Sequence, residues 1–254
     1  MIEGWLRTQP GVQVNSLMGG STVSSSHVTS NLTLFLDAGN LSSYPGSGTT
    51  WTDLAQGLQF SSNGTLTPFG TVGGASAFSF NGSGYWTYSA NPSLVDMGGP
   101  FTLMMWLHYT SLGTRANPFE KAGNSYQSYE QEIATTWETD GTITYYSRYN
   151  TYDYGTSAAL SSGWNLMALK MSTAKTGGVA RTGFYSKNGA AWTSNYTARS
   201  TTAVTTSGQI RIGTGYAGTL SAGSIAIVMV YNRELTDAEV LQNHNAFRGR
   251  FGLA

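Results

Sequence analysis

The chain has 254 residues, of which only 10% are charged, and its 13 Lys and Arg residues are balanced by 13 Asp and Glu residues. This balance leaves no long-range field to attract nucleic acid or an anionic membrane, so neither is expected as a partner. The absence of cysteine excludes disulfides, thiolate metal sites and a cysteine nucleophile. The 32 glycines and the 13% aromatic content are typical of strands separated by many turns.

The first segment along the chain, residues 1–30, is predicted to be an N-terminal arm. Residues 8–30 are rich in Gly, Ser and Thr, with too few apolar residues to close a core. Ile2, Trp5 and Leu6 precede this stretch and are the candidate residues for anchoring the arm to another subunit. A first strand of the domain would explain these three residues as well.

The N-terminus carries no basic stretch followed by an apolar run, and no apolar run approaches eighteen residues anywhere. Neither a signal peptide nor a membrane span is therefore expected, and the protein is predicted to be made in a cytoplasm.

Residues 31–254 are predicted to form one domain of strands, because short apolar or alternating runs are separated there by Gly, Pro, Asn and Asp. The predicted strands are 31–37, 76–80, 85–89, 101–110, 129–137, 142–150, 164–171, 182–187, 190–196, 209–213 and 224–232. Asn188 and Gly189 predict a type I′ turn, and Gly141 predicts a three-residue hairpin loop. Both faces of FTLMMWLHYT (101–110) are apolar, which favours a central strand in a two-sheet sandwich.

One helix is predicted, in LTDAEVLQNHNAF near the C-terminus. Thr236 is the expected N-cap and Glu239 completes a capping box, while Leu235 and Val240 form a hydrophobic staple. Val240, Leu241, His244 and Phe247 are expected to share one buried face.

The order of these segments resembles a known family. The run FTLMMWLHY, PFEKAGN, GWNLMALKM, SKNGAAW and the closing IRIGTGYAGTLSAGSIAIVMVYNRELTDAEVLQNHNA is similar to the laminin-G-like, concanavalin-A-like jelly roll. LFLDAGNLSSYPGSGTTWTDLA (34–55) resembles the opening of variants found in bacteriophage and other viral structural proteins. The resemblance implies an all-β fold, a two-sheet antiparallel jelly-roll sandwich with one short C-terminal helix. It says little about function, because this superfold hosts lectins, glycosidases and coat proteins alike.

Enzymatic activity is not expected. Glycosidases of this superfold resemble one another in a strand carrying Glu-x-Asp-x-(x)-Glu, and the nearest stretch here, Tyr129 to Ile133, lacks the aspartate and the third carboxylate. Glu130 and Glu132 are expected to share a strand face, so a glycosidase pair is conceivable. The predicted hairpin register places Glu132 opposite Arg148, where an ordinary cross-strand ion pair explains it.

No cofactor is expected, but a calcium ion remains open. Some laminin-G-like domains hold calcium at the rim of the sandwich, and the resemblance makes Asp37, Asp53 and Asp96 the candidate ligands because they lie near predicted loops.

The segment YYSRYNTYDYG (145–155) is the strongest candidate for a ligand-binding surface. The pleat of a strand places Tyr145 and Tyr149 on the face opposite Tyr146 and Arg148. The candidate ligand-binding residues lie beyond them, in a predicted loop at the sandwich edge; they are Asn150, Tyr152, Asp153 and Tyr154. Aromatic platforms beside carboxylate and amide groups suit sugars, while protein interfaces show the same enrichment.

Two functions are consistent with these observations. The first is a non-catalytic structural or adhesive protein of a viral particle, such as a capsid decoration, fibre or tail component. It would be docked through its arm to other virion subunits, form a homo-oligomer and be located in the virion. The alternative is a carbohydrate-binding, lectin-like module that attaches to host or surface glycans.

Overall fold

A computed structural model describes residues 26–65, 69–110, 113–122, 131–149, 151–172, 181–197, 208–215, 220 and 222–254; for residues 131–132, 147–149 and 151–153 it describes the backbone. Ile2, Trp5, Leu6, Glu130 and Asn150 lie outside the described residues.

The described strands form two antiparallel sheets, as the sequence predicts. The eight-stranded sheet contains β1 (Leu32–Asp37), β4 (Phe69–Val72), β5 (Ala75–Ser79), β7 (Phe101–Tyr109), β12 (Gly163–Met171), β13 (Gly183–Lys187), β14 (Thr193–Ser194) and β17 (Ser224–Tyr231). The nine-stranded sheet contains β2 (Thr50–Thr52), β3 (Gln59–Gly64), β6 (Gly84–Tyr88), β8 (Phe119–Ala122), β9 (Gln131–Trp137), β10 (Ile143–Tyr149), β11 (Thr151–Thr156), β15 (Tyr196–Thr197) and β16 (Gln209–Ile212). Single-turn 3-10 helices occupy Pro92–Leu94 and Arg248–Phe251, and α1 spans Asp237–Phe247.

The order of strands shows how distant parts of the chain come together. The eight-stranded sheet runs β14-β13-β12-β7-β17-β5-β4, with β1 also paired to β17, and the nine-stranded sheet runs β15-β11-β10-β9-β8-β16-β6-β3-β2. The first described strand, β1, therefore pairs with the last one, β17, so the two ends of the domain lie side by side in the eight-stranded sheet. This confirms the predicted all-β sandwich with one short C-terminal helix.

The main core lies between the two sheets, where alternate residues of each strand point inward. Leu34 and Leu36 of β1, Trp86 of β6 and Phe119 of β8 are buried in it. A second apolar cluster lies on the outer side of the eight-stranded sheet. β7 contributes to both clusters and pairs with β12 and β17, so the prediction of a central, two-sided strand is correct.

Helix α1 covers the second cluster. Thr236 accepts a hydrogen bond from the Glu239 backbone N–H, and the Glu239 side chain accepts one from the Thr236 backbone N–H, so the predicted capping box is present. Leu235 and Val240 are buried. The prediction for Leu241 is wrong, because its side chain is 45% exposed.

Asn243 takes the buried place that was predicted for Leu241, because its amide has polar partners there. Its Nδ2 donates to the Tyr231 hydroxyl at 3.0 Å, and its Oδ1 accepts from the Val28 N–H at 2.8 Å. The hydrogen bonds to these partners offset the cost of removing the amide from water, so a polar residue can face the sheet.

Both predicted turn conformations are observed. Gly141 has φ +85° and its N–H donates to the Glu138 carbonyl, as a three-residue loop requires. Asn188 and Gly189 both have positive φ, which defines the type I′ turn. The strand after this turn begins only at Thr193, so the connection is longer than a two-residue hairpin.

Candidate functional site

The segment after Asn150 is a strand and not the predicted loop. β11 pairs antiparallel with β10 along its whole length, from Tyr149 opposite Thr151 to Thr144 opposite Thr156. Tyr152, Asp153 and Tyr154 therefore belong to a regular ladder. Because strand positions alternate between faces, positions 152 and 154 share one face while position 153 belongs to the other. The three candidates that the structure describes, Tyr152, Asp153 and Tyr154, therefore do not all share one face.

β11 lies near one edge of the nine-stranded sheet, where the two-residue strand β15 is the one described strand that pairs beyond it. Tyr154 stands on the outer face of this sheet opposite Thr197 of β15 and is 37% exposed. It is one of the few large apolar side chains that the described part of the chain exposes. An exposed aromatic ring on a rigid strand is a suitable stacking surface for a ligand.

A line of outer-face residues runs from Tyr154 across the sheet, and we call it the outer row. Its members are hydrogen-bonded strand neighbours, namely Tyr154, Tyr146, Ala134, Glu120 and Arg211. With adjacent strands about 4.8 Å apart, the row spans roughly 19 Å. The row thus holds an aromatic end and a charged end on one sheet face.

The aromatic end is held firmly. Tyr146 is nearly buried beside Tyr154, and the Thr136 hydroxyl donates to the Tyr146 hydroxyl at 3.4 Å. A ring restrained by packing loses little conformational entropy when a ligand binds. Tyr146 therefore stiffens the surface next to the exposed Tyr154.

The charged end is an ion pair that sequence reasoning missed. Glu120 is 2% exposed, and its Oε1 lies 3.2 Å from Nη1 of Arg211. Gly215 lies against the same carboxylate, because a Cβ at Gly215 would overlap Glu120 Oε2. The signal in the sequence was the presence of charged residues inside two short strands, FEKA and QIRI, but strand pairing was needed to bring Glu120 and Arg211 together.

The inner face of the same hairpin is packed and not available to a ligand. Tyr145 is fully buried and stacks on Tyr196 at 5.9 Å between ring centroids. Burial and the nearby Tyr185 raise the pKa of Tyr145 well above its ordinary value. The predicted division of Tyr145 from Tyr146 by the pleat is thus correct.

The predicted register of the β9–β10 hairpin holds only in part. It is observed from Ile143 opposite Trp137 to Tyr146 opposite Ala134, but a shift then places Gln131, and not Glu132, opposite Arg148. A bulge is the cause, since one extra residue on one strand moves every later pair. The predicted pairing of Glu132 with Arg148 is therefore wrong at the level of the backbone.

The three aspartates considered for calcium lie in separate local networks. Asp37 pairs with Arg250 at 2.6 Å, and Asp96 accepts from the Gly98 N–H. Asp53 accepts from the backbone N–H groups of Phe35, Ala55 and Gln56, yet burial still raises its pKa. Within the part of the chain that is described, no three His, Asp or Glu residues gather closely enough to hold a metal ion.

None of the described helices is both long enough and apolar enough to span a membrane.

Comparisons with known proteins show the fold of this chain. No family model matches it, and no curated protein matches it. Among solved structures, Trypanosoma rangeli sialidase in complex with 2,3-difluoro-KDN matches 92% of this chain and 36% of its own, with a TM-score of 0.62 and 12% identity. The binding domain of botulinum neurotoxin DC in complex with SialylT matches 86% of this chain and 52% of its own, with a TM-score of 0.60 and 11% identity.

A third similar structure is the receptor binding domain of botulinum neurotoxin type G, with a TM-score of 0.58 and 13% identity over 84% of this chain and 51% of that chain. The chain thus spans about a third of the sialidase and about half of each neurotoxin domain. At these identities the likeness shows a shared β-sandwich fold.

Proposed function

We propose that the protein is a lectin-like module that binds glycans on the outer face of its nine-stranded sheet. The observation that carries this proposal is the exposed Tyr154 at the end of the outer row, fixed on a strand beside Tyr146. Sugar rings stack their apolar faces on aromatic side chains and hydrogen-bond to polar groups at the rim. Thr197, an exposed residue paired with Tyr154, supplies a polar group next to this ring.

The similar structures support a glycan as the ligand class. One is a sialidase in complex with a difluorinated nonulosonic acid, and another is a neurotoxin binding domain in complex with SialylT. A shared fold supports such a ligand only by analogy, so sialylated glycans are the first probes to use and not an assignment.

A glycan array tests the proposal with a matched pair of variants. Tyr154→Ala removes one stacking ring worth roughly 1 kcal/mol, so the signal on the bound glycan should fall about fivefold or more. Tyr85→Ala is the control, because Tyr85 is a partly exposed ring on β6 of the same sheet. It should leave the signal unchanged. An array without hits, or equal signals from both variants, would contradict the proposal.

We also propose that this module binds without cleaving its ligand. The glycosidase motif is missing around Glu130 and Glu132, and the carboxylate in the outer row, Glu120, is held by Arg211. Turnover of fluorogenic glycosides, including sialosides, should be undetectable. Turnover that disappears in Glu130→Gln/Glu132→Gln or in Glu120→Gln would show that the protein is an enzyme.

As a second function, we propose a structural role in a viral particle, with the arm docking the sandwich onto neighbouring subunits. The resemblance of residues 34–55 to viral structural proteins motivates it. A specific observation favours it too. Residues 26–30, the last of the predicted arm, are tied to the domain, since Gln242 Nε2 donates to the Ser26 carbonyl and the Tyr231 hydroxyl donates to the Val28 carbonyl. The arm therefore leaves the domain from a fixed point.

Deletion of residues 1–25 tests this second function. The shortened chain should keep its fold but lose self-association by light scattering and lose incorporation into particles. Unchanged association and incorporation would rule out docking through the arm.

A further inference from the structure

A groove of about 330 Å³ lies on the outer side of the eight-stranded sheet, next to α1. Its lining residues are His27, Thr29, Leu32, Phe35, Leu54 and Ala55. The walls are held in place. The Leu54 N–H donates to the Phe35 carbonyl at 2.7 Å, and the His27 ring packs against Phe35 at 4.8 Å and Phe247 at 5.7 Å.

The groove is mostly apolar and lies beside the packed second cluster. Leu32 and Leu54 are partly buried side chains that pack against this cluster, so their remaining surface faces the groove. Burial lowers the pKa of His27 from its ordinary value, although the nearby Asp37 opposes this effect. The lowered pKa favours the neutral form of the His27 ring, which suits an apolar occupant.

The described end of the arm, residues 26–30, lies at the rim of this groove, and we call it the root of the arm. The Val28 N–H donates to Asn243 Oδ1 at 2.8 Å, and Gln242 Nε2 donates to the Ser26 carbonyl at 2.7 Å. These bonds fasten the chain to α1 on both sides of His27, which lines the groove together with Thr29. The root of the arm and the groove therefore share one face of the molecule.

We propose that this groove binds the Ile2–Leu6 segment of a second copy of the chain. The inference rests on the second proposed function and names the surface that receives the arm. When two copies face each other across a twofold axis with this face, the root of each arm lies opposite the groove of the other copy. The exchange is then reciprocal, and both grooves are filled.

The length of the arm permits this exchange. About twenty residues separate Leu6 from Ser26, and a Gly- and Ser-rich chain of that length spans about 25 Å on average as a random coil and about 65 Å when fully extended. This reach is enough to cross from one protomer to its partner. The formal net charge of zero means that two copies do not repel each other over a distance.

The chemistry of the segment matches the groove. Ile2, Trp5 and Leu6 are apolar and are followed by a polar stretch rich in Gly, Ser and Thr. Tryptophan is among the residues that contribute most to protein interfaces when it fills an apolar pocket. Linking such an anchor to a fixed root raises its effective concentration once one arm is engaged.

Cross-linking tests this arrangement, and the natural absence of cysteine makes it specific. One preparation carries Gly4→Cys beside the anchor, and a second carries Ala55→Cys at the exposed rim of the groove. After mixing and mild oxidation, a disulfide between positions 4 and 55 can form only between two molecules. Mass spectrometry of the linked peptides identifies it.

The control partner carries Thr139→Cys, an exposed position in the β9–β10 turn of the other sheet. We expect the 4–55 disulfide to form about tenfold faster than the 4–139 disulfide. Adding Trp5→Ala and Leu6→Ala to the Gly4→Cys chain should reduce the rate to that of the control.

Equal rates for the two pairs, or no effect of the added alanines, would overturn the inference. A Gly4→Cys/Ala55→Cys double variant that forms only a disulfide within one chain would overturn it as well. Failure here is distinguishable from failure of the proposed function. If deletion of residues 1–25 abolishes association although the 4–55 disulfide does not form, the arm docks elsewhere and the structural role stands.

Discussion

At the residue scale, the neighbouring residues Tyr145 and Tyr146 of β10 lie on opposite faces of the sheet and have different roles. Tyr145 points into the core and stacks on Tyr196, whereas Tyr146 points outward and supports the exposed Tyr154. The space for the Tyr145 ring depends on Gly155, because a Cβ there would lie 2.5 Å from the Tyr145 ring and 2.6 Å from the Asn195 carbonyl oxygen. Gly155 allows the strand to lie directly on the buried ring.

Gly155→Ala should therefore destabilise the fold by about 2 kcal/mol, because the added methyl group must displace a packed ring and a backbone carbonyl. Urea unfolding measures the loss. Gly70→Ala is the matched control, since Gly70 also lies in a strand but an added Cβ there would meet no atom within 4 Å. A loss of the same size in both variants would show that strand propensity, and not the close approach, is responsible.

The ion pair between Arg233 and Glu239 predicts a dependence on pH. The Arg233 guanidinium lies 2.7 Å from the carboxylate and lowers the pKa of Glu239 from 4.5 to about 2. Because the folded pKa is depressed, the stabilisation is complete above the unfolded pKa and is lost as pH falls through the folded one.

The difference in unfolding free energy between the wild type and Glu239→Gln should thus shrink as pH falls from about 5 to about 2. Gln can still accept the capping hydrogen bond, so the comparison isolates the charge. Urea titrations at several pH values provide the measurement, and a difference that does not change with pH would contradict the assignment.

At the element scale, α1 shows how far local sequence signals reach. The capping box from Thr236 to Glu239 was predicted from residue types alone and is present. The rotation of the helix was predicted less well, because the buried Asn243 depends on Tyr231 and Val28, which are distant in sequence. Local rules therefore predicted where the helix begins, while its partners decided which face is buried.

Thr236→Ala tests the start of the helix. It should cost about 1 kcal/mol, because the Glu239 N–H loses its side-chain acceptor. Thermal unfolding measures this loss. Thr236→Ser retains a capping hydroxyl and should behave like the wild type; a loss in Ser equal to that in Ala would contradict the cap.

The β9–β10 hairpin also shows how far local sequence signals reach. The loop around Gly141 was predicted from its glycine, but the shift that places Gln131 opposite Arg148 was not. A bulge leaves little trace in the residue pattern, because it is set by how both strands fit the rest of the sheet.

At the scale of the whole molecule, two apolar layers share the eight-stranded sheet. One lies between the sheets, and the other lies between this sheet and the C-terminal residues. Trp106 of β7 shows that the outer layer depends on the C-terminal residues. Its ring centroid lies 5.1 Å from that of Phe247 and 6.1 Å from that of Phe251. The C-terminal segment is therefore part of the fold and not an appendage.

Truncation after Tyr231 should abolish cooperative unfolding. It removes Leu235, Val240 and Phe251 and exposes Trp106 and its neighbours, a loss of the order of 10 kcal/mol that matches the whole stability of a typical domain. Near-UV circular dichroism and a thermal scan detect the change. Removal of the exposed Ala254 alone is the control and should leave the transition intact.

The sequence by itself determined the strand-rich class, the two-sided central strand, the capped helix and the left-handed turns at Gly141 and Asn188. These features depend on alternation, capping and turn chemistry, which act between residues close together in the chain. Only the tertiary structure decided that Glu120 meets Arg211, that Tyr154 lies on a strand at the end of the outer row, and that the root of the arm meets an apolar groove. Those groupings join residues far apart in sequence, and they depend on strand order and register, which no local pattern carries.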